Sequence, residues 1–431
     1  MELDKEYFDS YDSIEVHNLM LRDEPRLKFY REAIMSSKNI FKDKVRKFFF
    51  SSLINKNFWC IFFCLIKIVL DVGSGTGILS LFCCKAGAKH VYAIEACKGI
   101  SLLSKKIVKK NNLESKITCI NEVMEKVKLP VDEVDIIVSE WMGVYLVHES
   151  MLGSIIYARD KYLRKDGLLY PSIAYLYICP IEAKSYIDKQ LNFWDKFYDF
   201  NFEPMKRVYG ELMKEKPIIE EISEEQLISD EKILSSLNLN TITIKDLITL
   251  QSYNLKFSIN KDCNLQGFAF WFDVIFHTDD KIVTLSTSPR ANQTHWKQTV
   301  VLMPQILDDS ENCDNLKLSS NDNLECFAIL KQSDTNLRHY VIDVGISKID
   351  KVNEESVEMN DNAEESDEDD EIEDEDEDEE EHPIPCDCSN LRCILIKKTL
   401  ENYNDIENKD LLNGDNAWII KQIINQNKIQ I

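Results

Sequence analysis

Val69-Leu-Asp-Val-Gly-Ser-Gly-Thr-Gly77 is the stretch whose reading decides the fold. The apolar run Ile68–Val72 reads as a strand. It gives way to glycines at 73, 75 and 77, and then to helical spacing over Leu79–Gly87. Strand, glycine turn and helix form the opening unit of a doubly wound α/β domain, whose ligands bind beyond the carboxyl ends of the strands. Glycine has no Cβ, so backbone can approach a ligand closely there. The spacing is G-x-G-x-G, not the G-x-G-x-x-G of dinucleotide sites.

Working outward, His90–Glu95, Ile117–Ile120 and Asp135–Ser139 read as further strands alternating with helical patterns, which implies a parallel sheet. Glu95 ends the second strand, 18 residues after Gly77, where a carboxylate can accept hydrogen bonds from both hydroxyls of a ribose. Glu125, in Met124-Glu125 beyond the third strand, can accept from an adenine amine. Loop and acids together point to an adenosine-type ligand, without choosing between S-adenosylmethionine and a nucleotide.

The fourth strand runs into Ser139-Glu-Trp-Met-Gly-Val-Tyr-Leu-Val-His-Glu149. Gly143 allows a bend, so Glu140 and Glu149 can face one pocket. Two buried carboxylates need a cation between them, and an arginine guanidinium matches in charge and in planar fork geometry. Ordinary surface glutamates would show the same spacing.

From about Tyr175 the pattern changes. Tyr175–Cys179, Ala269–Phe276, Lys281–Ser286, Lys297–Val301, Asn323–Leu330 and His339–Val344 read as strands of an antiparallel barrel or sandwich. Within it, 181–214 has helical spacing and carries Tyr186, Phe193, Trp194, Phe197 and Tyr198. These aromatics suit either a protruding element that meets a partner or a helix packed on its own domain.

The net charge of −24 is concentrated in one block. Residues 354–381 hold 20 of the 75 acids and no Lys or Arg, leaving 55 acids against 51 bases elsewhere. The near-neutral body argues against nucleic-acid binding through a basic surface, and the block itself should be disordered. The start, Met1–Ser10, is polar and lacks a signal sequence, and the odd count of 13 cysteines fits reduced thiols, so an intracellular protein is expected. Cys386, Cys388 and Cys393 lack a standard zinc spacing, and no metal is expected. The apolar run Phe58–Ile66 is about half the ~20 residues needed to span a bilayer and reads as a loop insertion, with no membrane association.

Five motifs together resemble the protein arginine N-methyltransferase family, and within it the type I members that form asymmetric dimethylarginine. They are Glu6-Tyr-Phe-Asp-Ser-Tyr11, Val69–Gly77, Met124-Glu125, Ser139–Glu149 and Thr294-His295-Trp296. The resemblance implies a Rossmann-like domain, 1–174, that binds S-adenosyl-L-methionine, and an antiparallel β-barrel domain, 175–431, with a dimerisation arm at 181–214. Glu140, Glu149, His295 and Asp23 would be catalytic, Asp23 pairing with His295. Tyr11, His17, Met20, Arg26, Gly73, Gly75, Glu95, Glu125 and Met151 would contact the cofactor, Arg26 through its carboxylate, while Met20 and Met151 would also shape the pocket for asymmetric product. Histone tails and Arg/Gly-rich proteins would be substrates, the enzyme a homodimer of cytoplasm and nucleus.

Departures from the family pattern are equally definite. Residues 46–68 intervene between Val45 and Val69, where relatives run straight on; they read as an insertion beside the cofactor loop, or as an intron carried into the sequence. Val144 and His148 stand where relatives often carry tyrosines. The acidic block interrupts the late strands and can attract basic substrates over distance. The rival readings are another nucleotide-binding α/β enzyme, such as a dehydrogenase, and a non-catalytic dimer whose cofactor site the insertion has impaired.

Overall fold

The glycine-rich run lies at the centre of the first sheet. In the computed structural model, which describes residues 2–41, 44–51, 58–65, 67–303 and 316–351, strand β3 (Ile68–Val72) is flanked by β4 (His90–Glu95) and β6 (Val134–Val138). With β5 (Ile117–Asn121) and β7 (Leu163–Tyr170) the order is β5-β4-β3-β6-β7, every pairing parallel. Burial on both faces of β3, β4 and β6 explains why these three read as largely apolar runs. All carboxyl ends point one way, so the 73–77 turn, Glu95 and Glu140 share one edge.

Four helices precede the sheet among the described residues: α1 (Glu2–Tyr11), α2 (Ile14–Arg22), α3 (Glu24–Met35) and the single turn α4 (Lys38–Phe41). Asp23 caps α3 by accepting the Arg26 N–H at 3.0 Å, and Pro25 fits its first turn. Tyr30, Ala33 and Ile34 bury one face of α3. The Tyr30 hydroxyl donates to the Ser139 carbonyl (3.0 Å), and its ring meets Phe276 edge-on at 5.0 Å. One buried tyrosine therefore ties α3 to both sheets.

The strands of the second region pair antiparallel. Strand β8 (Ile173–Ile181) lies between β10 (Lys232–Asn238) and β13 (Gly267–His277). β13 also pairs with β14 (Ile282–Ser286) and β15 (Gln298–Leu302), and β15 pairs with β9 (Ile218–Glu220). A second sheet runs β11 (Thr249–Ser258), β17 (Asn323–Gln332), β18 (Tyr340–Asp350). Leu324, Cys326, Ala328 and Leu330, every second residue of β17, enter the same core as Phe268, Phe270 and Phe272 of β13. β12 (Cys263–Leu265) pairs with β16 (Leu316–Leu318). Among the described residues these strands are hydrogen bonded as separate antiparallel sheets, not as one closed ring. Since β8 opens at Ile173, the expected 174/175 boundary falls inside its first strand.

Segment 181–214 is helical over α8 (Lys184–Leu191) and again from Glu203. Tyr186 packs on its own domain beside Ile187 and Leu191, whereas Phe193, Tyr198, Phe200 and Met205 are exposed. The two alternatives for this aromatic segment thus divide residue by residue.

The insertion is paired strand rather than loop. β1 (Lys44–Ser51) and β2 (Phe58–Leu65) form an antiparallel ribbon with Phe50 opposite Trp59, as aromatic and β-branched composition favours. It precedes the amino end of β3, and the glycine turn follows the carboxyl end. Five residues at about 3.3 Å each separate them. Along the chain the insertion thus enters β3 at the end opposite the cofactor loop. Asp135 anchors the start of β3: it accepts the Ile68 N–H (2.7 Å) and pairs with Lys67 (3.3 Å) and Arg164 (2.6 Å). The acidic block 354–381, and Cys386, Cys388 and Cys393, lie outside the described residues.

Candidate active site

A single cavity opens at the carboxyl edge of the parallel sheet. Tyr11, His17, Met20, Arg26, Gly73, Gly75, Glu95, Glu125, Glu140, Glu149, Met151 and His295 all line it. Asp23 stands behind His295. Residues spread along the chain from Tyr11 to His295 are thus gathered by the fold into one place.

At the adenosine end, Gly73 has φ +68, and a Cβ there would meet the Met151 Sδ–Cε end at 2.2 Å from Cε. The left-handed φ calls for glycine here, whereas the Met151 methyl is the far end of a flexible side chain that can move aside. Glu95 accepts the Gly75 N–H through Oε2 and the Cys97 N–H through Oε1, each at 2.8 Å. Each oxygen keeps a second lone pair for a hydroxyl donor. Glu125 sits in a single turn after β5, and Ser154 donates to its Oε1 (2.6 Å). His17 is buried, with Nε2 2.9 Å from the Tyr11 carbonyl, and its ring lies against Gly75. Ser74 and Trp141 line the cavity, and the Ser74 hydroxyl and Trp141 indole N–H are buried with no hydrogen-bond partner among the described residues. Bare glycines, an acid with free lone pairs and unsatisfied polar atoms fit an adenosine-containing group that carries further polar substituents.

At the other end, Arg26 turns its fork onto Glu140. Nη2 and Nε donate to Oε2 at 2.8 and 3.2 Å, and Nη1 donates to the Met20 carbonyl at 2.7 Å. Two of its five N–H donors remain for another acceptor. Glu149 accepts a hydrogen bond from the Tyr11 hydroxyl at 2.7 Å. Burial, followed by the charge of Glu140, raises the Glu149 carboxyl above its usual value against the opposing hydrogen bonds from Tyr11 and Tyr7 and the charge of Arg338. Burial and Glu149 push the hydroxyls of Tyr7 and Tyr11 well up, so both remain donors.

The double-glutamate loop is strained. Tyr145, Leu146, Glu149 and Ser150 have φ of 40, 71, 72 and 55°. Left-handed backbone at residues other than glycine costs on the order of 1–3 kcal/mol each. At Gly143 the need is close approach: a Cβ would lie 2.2 Å from the His148 carbonyl oxygen. His148 accepts or shares a proton with the Tyr145 hydroxyl (2.7 Å) and stacks on His339 at 4.9 Å. Burial, reinforced by His339, lowers it to about 4.

His295 reaches the site from the loop between β14 and β15. Asp23 Oδ2 accepts its backbone N–H (2.8 Å) and faces Nδ1 at 2.6 Å. Burial alone would raise Asp23, but hydrogen bonds from His295 and the Arg26 N–H outweigh it and hold the carboxyl below its usual value. The Asp23 carboxylate, an acceptor only, keeps a proton on Nδ1, so Nε2 is the ring nitrogen turned to the site. Trp296 secures the loop by donating to the Met142 carbonyl (2.9 Å).

Two residues at the site were not legible beforehand. Tyr7 lies inside a recognised motif, but nothing in its spacing distinguishes it. Arg338 is a lone arginine between two strands, 189 residues from Glu149, and no local pattern marks it.

A parallel-sheet adenosine site of this kind, facing a pair of carboxylates, defines a methyltransferase domain, and a model of that domain matches residues 69–167. The arginine methyltransferase oligomerization subdomain matches 172–348. Protein arginine N-methyltransferase 1 of Schizosaccharomyces pombe is 39% identical over 296 residues, 68% of this chain and 78% of the relative. Protein arginine N-methyltransferase 8-B of Danio rerio is 39% identical over 301 residues, 70% of this chain and 65% of the relative. Among solved structures, the Trypanosoma brucei PRMT1 enzyme–prozyme heterotetrameric complex with AdoHcy has a TM-score of 0.64 at 29% identity, covering 78% of this chain and 94% of that one. The chain belongs to the protein arginine N-methyltransferase family, whose methyl donor is S-adenosylmethionine.

Proposed function

We propose that the chain transfers methyl groups from S-adenosylmethionine to guanidinium nitrogens of arginine in proteins, giving mono- and asymmetric dimethylarginine. The observation that carries this reading is the placing of Glu140 and Glu149 on one cavity with the adenosine-binding edge, Glu140 already accepting a guanidinium fork from Arg26.

Tyr11, His17, Met20, Arg26, Gly73, Gly75, Glu95, Glu125 and Met151 would hold the cofactor, which supplies when bound a methyl on a sulfonium that departs as a neutral thioether. A free guanidinium is a poor nucleophile because its lone pairs are delocalised and its pKa exceeds ~12. Hydrogen bonds to two carboxylates localise its charge away from one terminal nitrogen. Holding that nitrogen at attack distance contributes ~7–11 kcal/mol in favourable systems. The proton lost goes to a carboxylate or to Nε2 of His295, oriented by Asp23.

Met20 and Met151 both line the cavity, which favours the asymmetric product. Phe193, Tyr198, Phe200 and Met205 present an exposed apolar face on the arm, consistent with a homodimer. Histone tails and Arg/Gly-rich proteins are the proposed substrates, in cytoplasm and nucleus. Labelled methyl transfer to a Gly/Arg-rich peptide, with the products resolved, tests this. Asymmetric dimethylarginine is expected; absence of any methylarginine refutes the activity, and the symmetric isomer refutes the type.

A further inference from the structure

Glu149 and the residue after it occupy left-handed backbone, so something outside the loop must hold them. That support is the turn 336–338, which joins β17 to β18. The Glu149 N–H donates to the Arg338 carbonyl at 2.7 Å, and Arg338 Nη1 donates back to the Glu149 carbonyl at 3.0 Å. The Ser150 hydroxyl donates to the Leu337 carbonyl at 2.6 Å, while Asn336 Oδ1 braces the turn by accepting the Arg338 N–H at 3.0 Å.

The same guanidinium also reaches the first helix. Its carbon lies 3.9 Å from the centre of the Tyr7 ring and 5.3 Å from that of Phe8. Both are on α1, the helix whose Tyr11 donates to the Glu149 carboxylate. A planar cation of this kind binds an aromatic face and donates in its own plane at once, which an ammonium does not.

We propose that Arg338 is a positioning residue that couples the seating of α1 over the cofactor cavity to the alignment of the Glu149 carboxylate. Seating of α1 brings Tyr7 and Phe8 under the guanidinium, which fixes the turn, and the turn fixes Glu149. Removing Arg338 should therefore weaken cofactor retention and substrate turnover together. The inference rests on the guanidinium-clamp reading of Glu149.

Glu149 is faced by Tyr7 and Tyr11 from α1, by Glu140 from its own loop and by Arg338 from the barrel turn. Of these only Arg338 is a cation, and its charge favours the ionised carboxylate. Loss of that charge lets the carboxyl rise further, so activity should fall away at a higher pH on acidification.

The test uses the full chain with Arg338→Ala and Arg338→Lys. Calorimetric binding of S-adenosylhomocysteine and the pH profile of kcat/KM on a Gly/Arg-rich peptide are measured for each. Arg338→Ala should weaken binding by about tenfold, the scale of a lost buried cation–π contact, and shift the acidic limb upward. Arg338→Lys should restore the limb while leaving the binding defect largely in place. Native affinity and a native limb in Arg338→Ala would overturn the proposal. So would equal defects in both variants with a lowered melting temperature and no shift of the limb, the pattern of a structural residue alone. If the unaltered protein methylates no arginine, the proposed function falls, and the binding measurements still decide whether Arg338 secures α1.

Discussion

Glu140 and Glu149 are chemically the same residue in different surroundings. Glu140 is paired to Arg26, and Glu149 sits among tyrosines in strained backbone. The difference assigns them different sensitivities. Glu140→Gln keeps the shape, removes the charge and leaves the Arg26 fork facing a weaker acceptor. Turnover should fall roughly 100-fold or more, the scale of losing a preorganised electrostatic contact, while cofactor binding persists. Near-normal turnover on a histone-tail peptide would remove Glu140 from the mechanism. Glu149, with its raised carboxyl, sets the acidic limb: its proton is retained to a higher pH than on an ordinary glutamate, so kcat/KM declines earlier on acidification. None of this was visible in the spacing of the two residues, which surface glutamates would share. It depends on Tyr11 and Arg26, brought in from 138 and 114 positions away.

The start of α3 does two jobs through one side chain. Asp23 caps the helix with Oδ1 and holds His295 with Oδ2. Asp23→Ala removes both, and should cost about 1–2 kcal/mol from the lost cap and the unpaired His295 donors, read by chemical denaturation. Asp23→Asn keeps an oxygen for the cap but presents an amide N–H to one set of donors. Its stability should lie closer to that of the native protein while its activity stays low, because the imidazole is no longer fixed in one tautomer. Equal activity in Asp23→Asn and the native chain would show that the tautomer does not matter. The helices and strands around this site were largely legible. β3 and β4 occur where the apolar runs predict, and β17 and β18 begin within one residue of the strands expected at Asn323 and His339. The insertion was less so, because an apolar aromatic run suits a buried strand and a ribbon equally.

At the scale of the molecule, the question raised by the insertion is whether it disables the site. Its ribbon leads into the amino end of β3, and catalysis is placed at the carboxyl ends. Asp135 anchors Lys67 and Ile68. Excision of 46–66, joining Val45 to Lys67, should leave methyl transfer within about twofold, since a change of loop length costs little in closure entropy. A folded but inactive deletion variant would show that the ribbon contributes to the site. This geometry also weakens the reading of the chain as a binding protein with an impaired cofactor site.

The sequence by itself determined what depends on local order: the glycine turn after a strand, Glu95 at the next strand end, the two glutamates after the fourth strand, and the succession of strands in the second region. These follow from side-chain periodicity and from the conformations that glycine alone adopts readily, which a short window contains. Only the tertiary structure decided which charges meet. Arg26 on Glu140, Tyr11 on Glu149, and Arg338 between Tyr7 and Glu149 join segments far apart in the chain. Such pairings depend on how whole elements pack, and a lone arginine or tyrosine carries no local mark of the partner it will find.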